Sequence, residues 1–266
     1  MAPDDASRPP TASSARTEHQ DEPVVLRETV DRIAVLTLNS PANRNALSRA
    51  MVTALSAELE AASADESLHG VLIRSSHPVF CAGADLKEAQ TVDMVEGARS
   101  IIALQRTMAA CPVPVVVRLD GPVRAGGIGL VASADIVVCS REVSFALTEV
   151  RLGLAAAIIA IPLKERVAAR TLADWSLTGR TFTAEEARDA GLVTHITSGE
   201  QVSHRVEEVL DDLRAAVRQG LVEAKAILAR DLLAALDADG DAMARLSGRL
   251  FHSRAAQAAF AARKRG

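Results

Sequence analysis

Two glycine-rich stretches and one isolated acid are the residues of this chain whose types and spacing could do chemistry. Cys81-Ala82-Gly83-Ala84-Asp85 and Ala125-Gly126-Gly127-Ile128-Gly129 each set glycine just past an apolar segment. Glycine lets the backbone approach a ligand closely, and a helix start leaves N–H groups unpaired. If the two stretches converge, one N–H from each forms a two-donor cradle for a developing oxyanion. Such a donor is worth roughly 10²–10³ in rate, and a helix opening at Gly126 adds its positive dipole end. The plainer reading is two tight turns. The acid is Glu149, set among Phe145, Ala146, Leu147, Val150 and Leu152. Burial there would raise its pKa and suit it to proton transfer near neutral pH; an ion pair with Arg151 at the surface is the alternative.

Other chemistries fit less well. Gly127-Ile128-Gly129-Leu130-Val131-Ala132 matches the G-x-G-x-x-A dinucleotide fingerprint, with Glu149 about 20 residues on. That fingerprint should follow its strand directly, yet Asp120 to Ala125 intervene, and the helix is cut short by Asp135 and the IVVC run. Cys81, Cys111 and Cys139 lack metal-type spacing and read as reduced structural thiols, and His69, His77 and His195 share no ligand spacing, so no metal is expected. A net charge of −4 without a basic stripe, and 2% aromatic residues, argue against nucleic acid as a partner. The longest apolar run, 152–163, is too short for a membrane span and contains Pro162, so no membrane is expected. The first 22 residues lack a signal-peptide core, which makes the cytoplasm the expected location.

The elements that must position these residues follow from periodicity. Residues 1–22, rich in Pro, Ser, Ala, Thr and Asp, read as a disordered tail. Strands are expected over 24–29 and 33–38 around a turn at 30–32, then a loop over 41–45. Ser48 is the expected N-cap of a helix to about Ala62. A buried strand over 70–74, a helix over 94–110 and a strand over 113–119 lead to the glycine turn. A helix over 126–134, strands over 136–139 and 143–145, and one helix over 155–170 around Pro162 follow. Helical spacing over 184–190 and a strand over 192–196 close a main body of residues 23–198. Residues 199–266 are almost wholly helical, and their apolar faces must pack on this chain or on a partner subunit. The recurrence of strand, strand, helix fits an α/β fold built as a coiled stack of ββα units.

Taken in order, several short motifs resemble those of the crotonase (enoyl-CoA hydratase/isomerase) superfamily, and the single-glutamate subgroup within it. They are Pro41-Ala42-Asn43-Arg44-Asn45-Ala46-Leu47-Ser48, Phe80 to Lys87, Ala125-Gly126-Gly127, Ala134-Asp135-Ile136 and Thr148-Glu149-Val150-Arg151-Leu152-Gly153. Leu177-Thr178-Gly179-Arg180 and Ala187 to Val193 complete the set, which spans about residue 24 to the C-terminus. The resemblance implies a spiral of ββα repeats, a C-terminal helical trimerisation region, and a homotrimer or dimer of trimers. It implies an acyl-CoA thioester as ligand, coenzyme A being part of the substrate and no separate cofactor being needed. The oxyanion hole would be the N–H groups of Ala84 and Gly126, and the catalytic acid Glu149. Coenzyme A would meet Arg44, Asn45, Ala46, Ala82 and Gly127, with Lys87 near its phosphates. Phe260 and Lys264 would reach the CoA of a neighbouring subunit.

One departure matters. The better-known hydratases of this family carry a further glutamate at the position of Gly129, which here has no side chain to hold or deprotonate water. The usual Pro-Gly-x-Gly-Gly segment is altered to Ala155-Ala156-Ala157-Ile158-Ile159, and Glu142 does not match the motif. The resemblance to the one-glutamate subgroup favours hydration of a 2-enoyl-CoA in fatty-acid or branched-chain acyl-CoA breakdown. Isomerisation of 3-enoyl-CoA comes second, and acyl-CoA binding without catalysis third. Arg124, directly before the cradle, would pair with a carboxylate on the acyl group if it faced the pocket; a surface arginine in a turn is the alternative.

Overall fold

The computed structural model describes residues 22–85, 88 and 93–263. The expected tail, Glu22 excepted, therefore lies outside the described residues, as do Lys87 and Lys264.

The frame is a six-stranded sheet in the order β1 (Val25–Val30), β2 (Ile33–Leu38), β3 (Gly70–Ser75), β4 (Val115–Leu119), β6 (Ile136–Ser140) and β9 (His195–Thr197). Only the β1–β2 pair is antiparallel. Its hairpin turn is two residues, Asp31 and Arg32, both at positive φ (44° and 66°), shorter than the three-residue turn expected. Such φ values match the twist of paired strands but strain non-glycine residues. Arg32 is held by His69 and by the carbonyl of Arg214, while Arg214 donates to the carbonyl of Asp31.

The sheet is covered on both faces, as parallel sheets require. Along β2, Ala34, Leu36 and Leu38 join the main core with helix α1 (Arg49–Ala64), whose N-cap is Ser48, as the sequence predicts. Ile33 and Val35 face the other way, against Val202, Val206 and Val209 of α7 (Val202–Ala215). Helix α2 (Met94–Ala110) packs between α1 and α8 (Arg218–Phe251), a continuous 34-residue helix where several shorter ones were expected. Close approach explains the glycine at position 248, since a Cβ there would lie 2.4 Å from the Val95 side chain. Lys225 of α8, 4% exposed, reaches the Asp135 carboxylate (2.6 Å) and the carbonyls of Met108 and Val113. The C-terminal helices thus cover this chain's own core.

A second sheet of three short strands carries the site: β5 (Val123–Arg124), β7 (Ser144–Ala146) and β8 (Thr181–Thr183). Trp175 and Phe145 stack on Phe182 beneath it. Helices α3 (Gly126–Ser133), α4 (Ala157–Arg166), α5 (Ala169–Thr178) and α6 (Ala184–Asp189) surround it, and α9 (Arg254–Arg263) ends the described chain. The single helix expected over 155–170 is instead two, with the break at Val167 and Ala168, both extended. Pro162 lies inside α4 rather than at the break, and Arg166 turns back to donate to the carbonyls of Ala132 and Ala134 at the end of α3. Tertiary contacts, not proline, end this helix. The layered α/β architecture with C-terminal helices agrees with the fold read from the sequence.

Candidate active site

Three parallel segments deliver the site residues. Cys81 bridges Val123, and Val123 pairs with Phe145, so the three lie side by side in register. Three residues beyond Cys81 is Ala84, three beyond Val123 is Gly126, and four beyond Phe145 is Glu149. Parallel neighbours leave their sheet at the same end, so the two glycine stretches and the isolated acid emerge on one side of it.

The two cradles touch. A Cβ built on Gly83 would lie 2.8 Å from the Cβ of Ala125 and 3.4 Å from the Gly126 nitrogen; one on Gly126 would lie 3.6 Å from the Ala84 nitrogen. Among the described residues, the N–H groups of Ala84 and Gly126 donate to no other backbone group. Both turns use left-handed backbone: Gly83 has φ 92°, and Ala125, the residue capping α3, has φ 46° and ψ −123°. That conformation strains alanine by roughly 1–3 kcal/mol, and it aims the first N–H of α3 away from the helix. The bond from the Ala125 N–H to the Ala146 carbonyl (3.0 Å) holds the turn on β7. Two unpaired donors brought together on touching turns are what an oxyanion hole requires.

Glu149 opens a 3₁₀ turn over Glu149–Leu152 that follows β7. The residue retains some exposure, but Oε2 is buried with no hydrogen-bond partner among the described residues. Burial pushes its pKa up to about 7, against a smaller pull from its own backbone N–H. No ion pair links it to Arg151, which lies exposed beside Gly179. Of the two readings open in the sequence, the geometry selects the buried acid. Glu142 is different: it bonds the Ser140 hydroxyl and its pKa is lowered.

The loop before α1 is zipped to the first cradle through Ala82 N–H to Arg44 O (3.1 Å) and Leu47 N–H to Gly83 O (2.8 Å). Ala46 is buried in this loop, while the Arg44 side chain is exposed. The Asn45 side chain is wholly occupied within the chain, accepting from Ser40 N–H and donating to Ser75 Oγ and Val79 O; its backbone N–H donates to the Ser40 carbonyl, and the residue is fully buried. Gly127 lets α3 close on Cys81, whose Cβ and Sγ would lie 2.7 and 2.9 Å from a Cβ there. The Cys81 thiol is itself buried and pushed up to about 12, so it is no nucleophile. Phe260 packs on Phe251 of its own chain, in a cluster with Leu152 and Leu154 that covers the turn bearing Glu149. Arg124 is half-buried and spends its guanidinium on the Ser144 carbonyl and hydroxyl, tying β5 to β7.

The position of Gly129 is closed. A Cβ there would fall 2.6 Å from Ile159 Cγ2 and 2.6 Å from Gln105 Nε2. Gln105 was not singled out in the sequence. It is fully buried, and among the described residues neither its Nε2 nor its Oε1 has a partner. The available signal was its place on the apolar stripe Ala98, Ile101, Ile102, Met108 and Ala109 of α2.

Among the described residues, no group of three His, Cys, Asp or Glu side chains could hold a metal, and no helix is long and apolar enough to cross a membrane. An open groove elsewhere, lined by Arg27, Arg74 and Arg118, contains no site residue, and its arginines pair with Glu58, Glu28 and Asp120.

Known proteins share both the fold and the sequence pattern. The crystal structure of an enoyl-CoA hydratase from Mycobacterium avium superposes with a TM-score of 0.86 at 37% identity, covering 92% of this chain and 97% of that one. Enoyl-CoA hydratase domain-containing protein 3 of Mus musculus is 30% identical over 228 residues, 84% of this chain and 76% of its own. Methylglutaconyl-CoA hydratase of the same species is 30% identical over 220 residues, 79% of this chain and 69% of its own. With residues 28–265 matching the enoyl-CoA hydratase/isomerase family, this chain belongs to that family.

Proposed function

We propose that the protein adds water reversibly across the double bond of a 2-enoyl-CoA thioester. The observation that carries this reading is a carboxylate whose buried Oε2 has no partner among the described residues, poised near pH 7 and delivered by the same strand set as two converging unpaired amides. In the forward direction the thioester oxygen lies between the N–H groups of Ala84 and Gly126, which polarise the conjugated system. Glu149, ionised, takes a proton from water as its oxygen bonds to C3, and the enolate forms under the two amides. The protonated Glu149 then returns that proton to C2. One acid suffices because its pKa makes both forms accessible at neutral pH. The thioester supplies the activation, so the reaction calls for no separate cofactor.

Coenzyme A would lie along the Arg44–Ala46 loop and the backbone of Ala82 and Gly127, with Lys87 at its phosphates. The resemblance would also bring Phe260 and Lys264 to a neighbouring subunit's CoA, but Phe260 is buried against Phe251 of its own chain and lends that contact no support. A trimer or dimer of trimers is supported by the family resemblance and by exposed Leu177, Ile227 and Leu228, each more than 70% accessible. Three buried free thiols support a reducing compartment such as the cytoplasm.

Gly129 favours a second reading, isomerisation of 3-enoyl- to 2-enoyl-CoA, in which one carboxylate moves one proton along the acyl chain and no water is held. The test is a panel of saturated, 2-enoyl and 3-enoyl CoA esters followed by mass spectrometry. Gain of the mass of water on 2-enoyl esters supports hydration. Conversion of 3-enoyl esters without it transfers the assignment to isomerase, and binding with no turnover leaves a carrier.

A further inference from the structure

Gln105 is fully buried with both ends of its carboxamide unpaired among the described residues, a state it shares only with the single indole N–H of Trp175. Its helical neighbours Ile101, Ile102, Met108 and Ala109 are apolar and buried, so a leucine or methionine would fill the volume without stranding a carboxamide. Its place explains what it could meet. A Cα–Cβ bond in a helix tilts toward the N-terminus, so a group at the Cβ position of Gly129 lies over the preceding turn. That turn of α3 begins with the free N–H of Gly126, and Gln105 Nε2 is 2.6 Å from that Cβ position. The carboxamide nitrogen therefore lies, from α2, beside the first turn of α3, the turn that opens with the oxyanion donor Gly126.

A carboxamide both donates and accepts but does not exchange a proton near neutral pH. It is thus suited to hold a hydroxyl or a water while another group moves the proton. We propose that Gln105 holds the oxygen that is added to, or lost from, C3 of the acyl chain, contacting the water in one direction and the 3-hydroxyl in the other. This rests on the hydration reading for its catalytic meaning, though its binding consequence is separable. Glu149 remains the only proton carrier, and Gln105 fixes the line of approach of the oxygen.

The test uses the full-length protein and Gln105→Met, which fills the same volume. Equilibrium binding of 3-hydroxybutyryl-CoA and butyryl-CoA is measured by calorimetry in a Glu149→Gln background, where turnover is blocked. The parent is expected to favour the hydroxy ester by about fivefold, the worth of one neutral hydrogen bond, and the added Gln105→Met to erase that preference. With Glu149 present, Gln105→Met should lower kcat for crotonyl-CoA hydration about a hundredfold, as for a misplaced reactant, leaving KM within about twofold. Gln105→Glu, which keeps an acceptor oxygen, should retain at least about a tenth of the rate. An unchanged preference for the hydroxy ester in Gln105→Met overturns the proposal whatever the turnover. If the wild type hydrates nothing but the preference exists and depends on Gln105, the hydration reading fails while the hydroxyl site stands.

Discussion

Replacing Glu149 with glutamine should make the protein more stable at pH 8 and leave it unchanged at pH 4. In the unfolded chain the carboxyl titrates near its ordinary 4.5; in the fold burial raises it to about 7. Between those values the native state binds more protons than the unfolded state, so stability falls as pH rises and levels off above the folded pKa. The contribution of the neutral form is fully present below about 4.5 and lost on passing through about 7. Each pKa unit is worth about 1.4 kcal/mol, so the ionised acid costs the fold about 3 kcal/mol at pH 8. Glutamine has nearly the same shape and no charge, and it escapes this cost. Urea denaturation of both proteins at fixed chain concentration, from pH 4 to pH 8, should give a stability difference growing from near zero to about 3 kcal/mol. Most of the change should fall between pH 5 and 7. A flat difference would mean that the carboxylate is solvated. A glutamine variant less stable at pH 8 would mean that Glu149 is ion-paired, and the argument for a poised acid would fail. The same substitution should abolish turnover while sparing binding of CoA esters.

The same carboxyl should govern the rate. For hydration kcat/KM should rise through an apparent pKa of about 7, because the ionised form takes the proton from water; a profile already flat at pH 5 would count against it. Gly129→Glu should not add activity: its Cβ meets Ile159 and Gln105 at 2.6 Å, and overpacking should cost about 1–3 kcal/mol in denaturant titrations. Lys225→Met should cost about 3 kcal/mol, because it strands the Asp135 carboxylate that α8 now neutralises; a neutral effect would show the pair to be dispensable. Gly121→Ala should fail to accumulate as soluble protein, since its Cβ would fall 1.6 Å from the Pro78 carbonyl oxygen.

Most of the fold was legible because its elements repeat locally. The β-branched run of β4, the Ser48 cap and the apolar stripe of α2 each announce themselves within about a dozen residues. What was illegible depended on distant partners. β5 is two residues long and exists only because Val123 and Arg124 lie against β7. The break between α4 and α5 is set where Arg166 reaches back to the end of α3, and no residue at 167–168 signals it. At the site, both cradles and the acid were readable by residue type, but their convergence was not. It depends on the registers Cys81 to Val123 and Val123 to Phe145.

Gly129 illustrates why a missing side chain is best read together with what fills its space. As sequence it is the absence of an acid, which leaves hydration favoured by resemblance and isomerisation second. In the fold the position is a contact: without a Cβ, α3 lets Ile159 of α4 and Gln105 of α2 close on it. Gln105 would be an expensive choice for that contact if packing were its only role, because its carboxamide finds no partner among the described residues. The altered Ala155–Ile159 segment belongs to the same exchange, since it brings Ile159 onto the face where a larger residue at 129 would stand. Gly129, Ile159 and Gln105 thus make one packing unit, and on the proposal above the polarity beside that turn of α3 comes from α2. A reaction that needs one proton carrier and one oriented oxygen can be run from that arrangement, with Glu149 as the only acid.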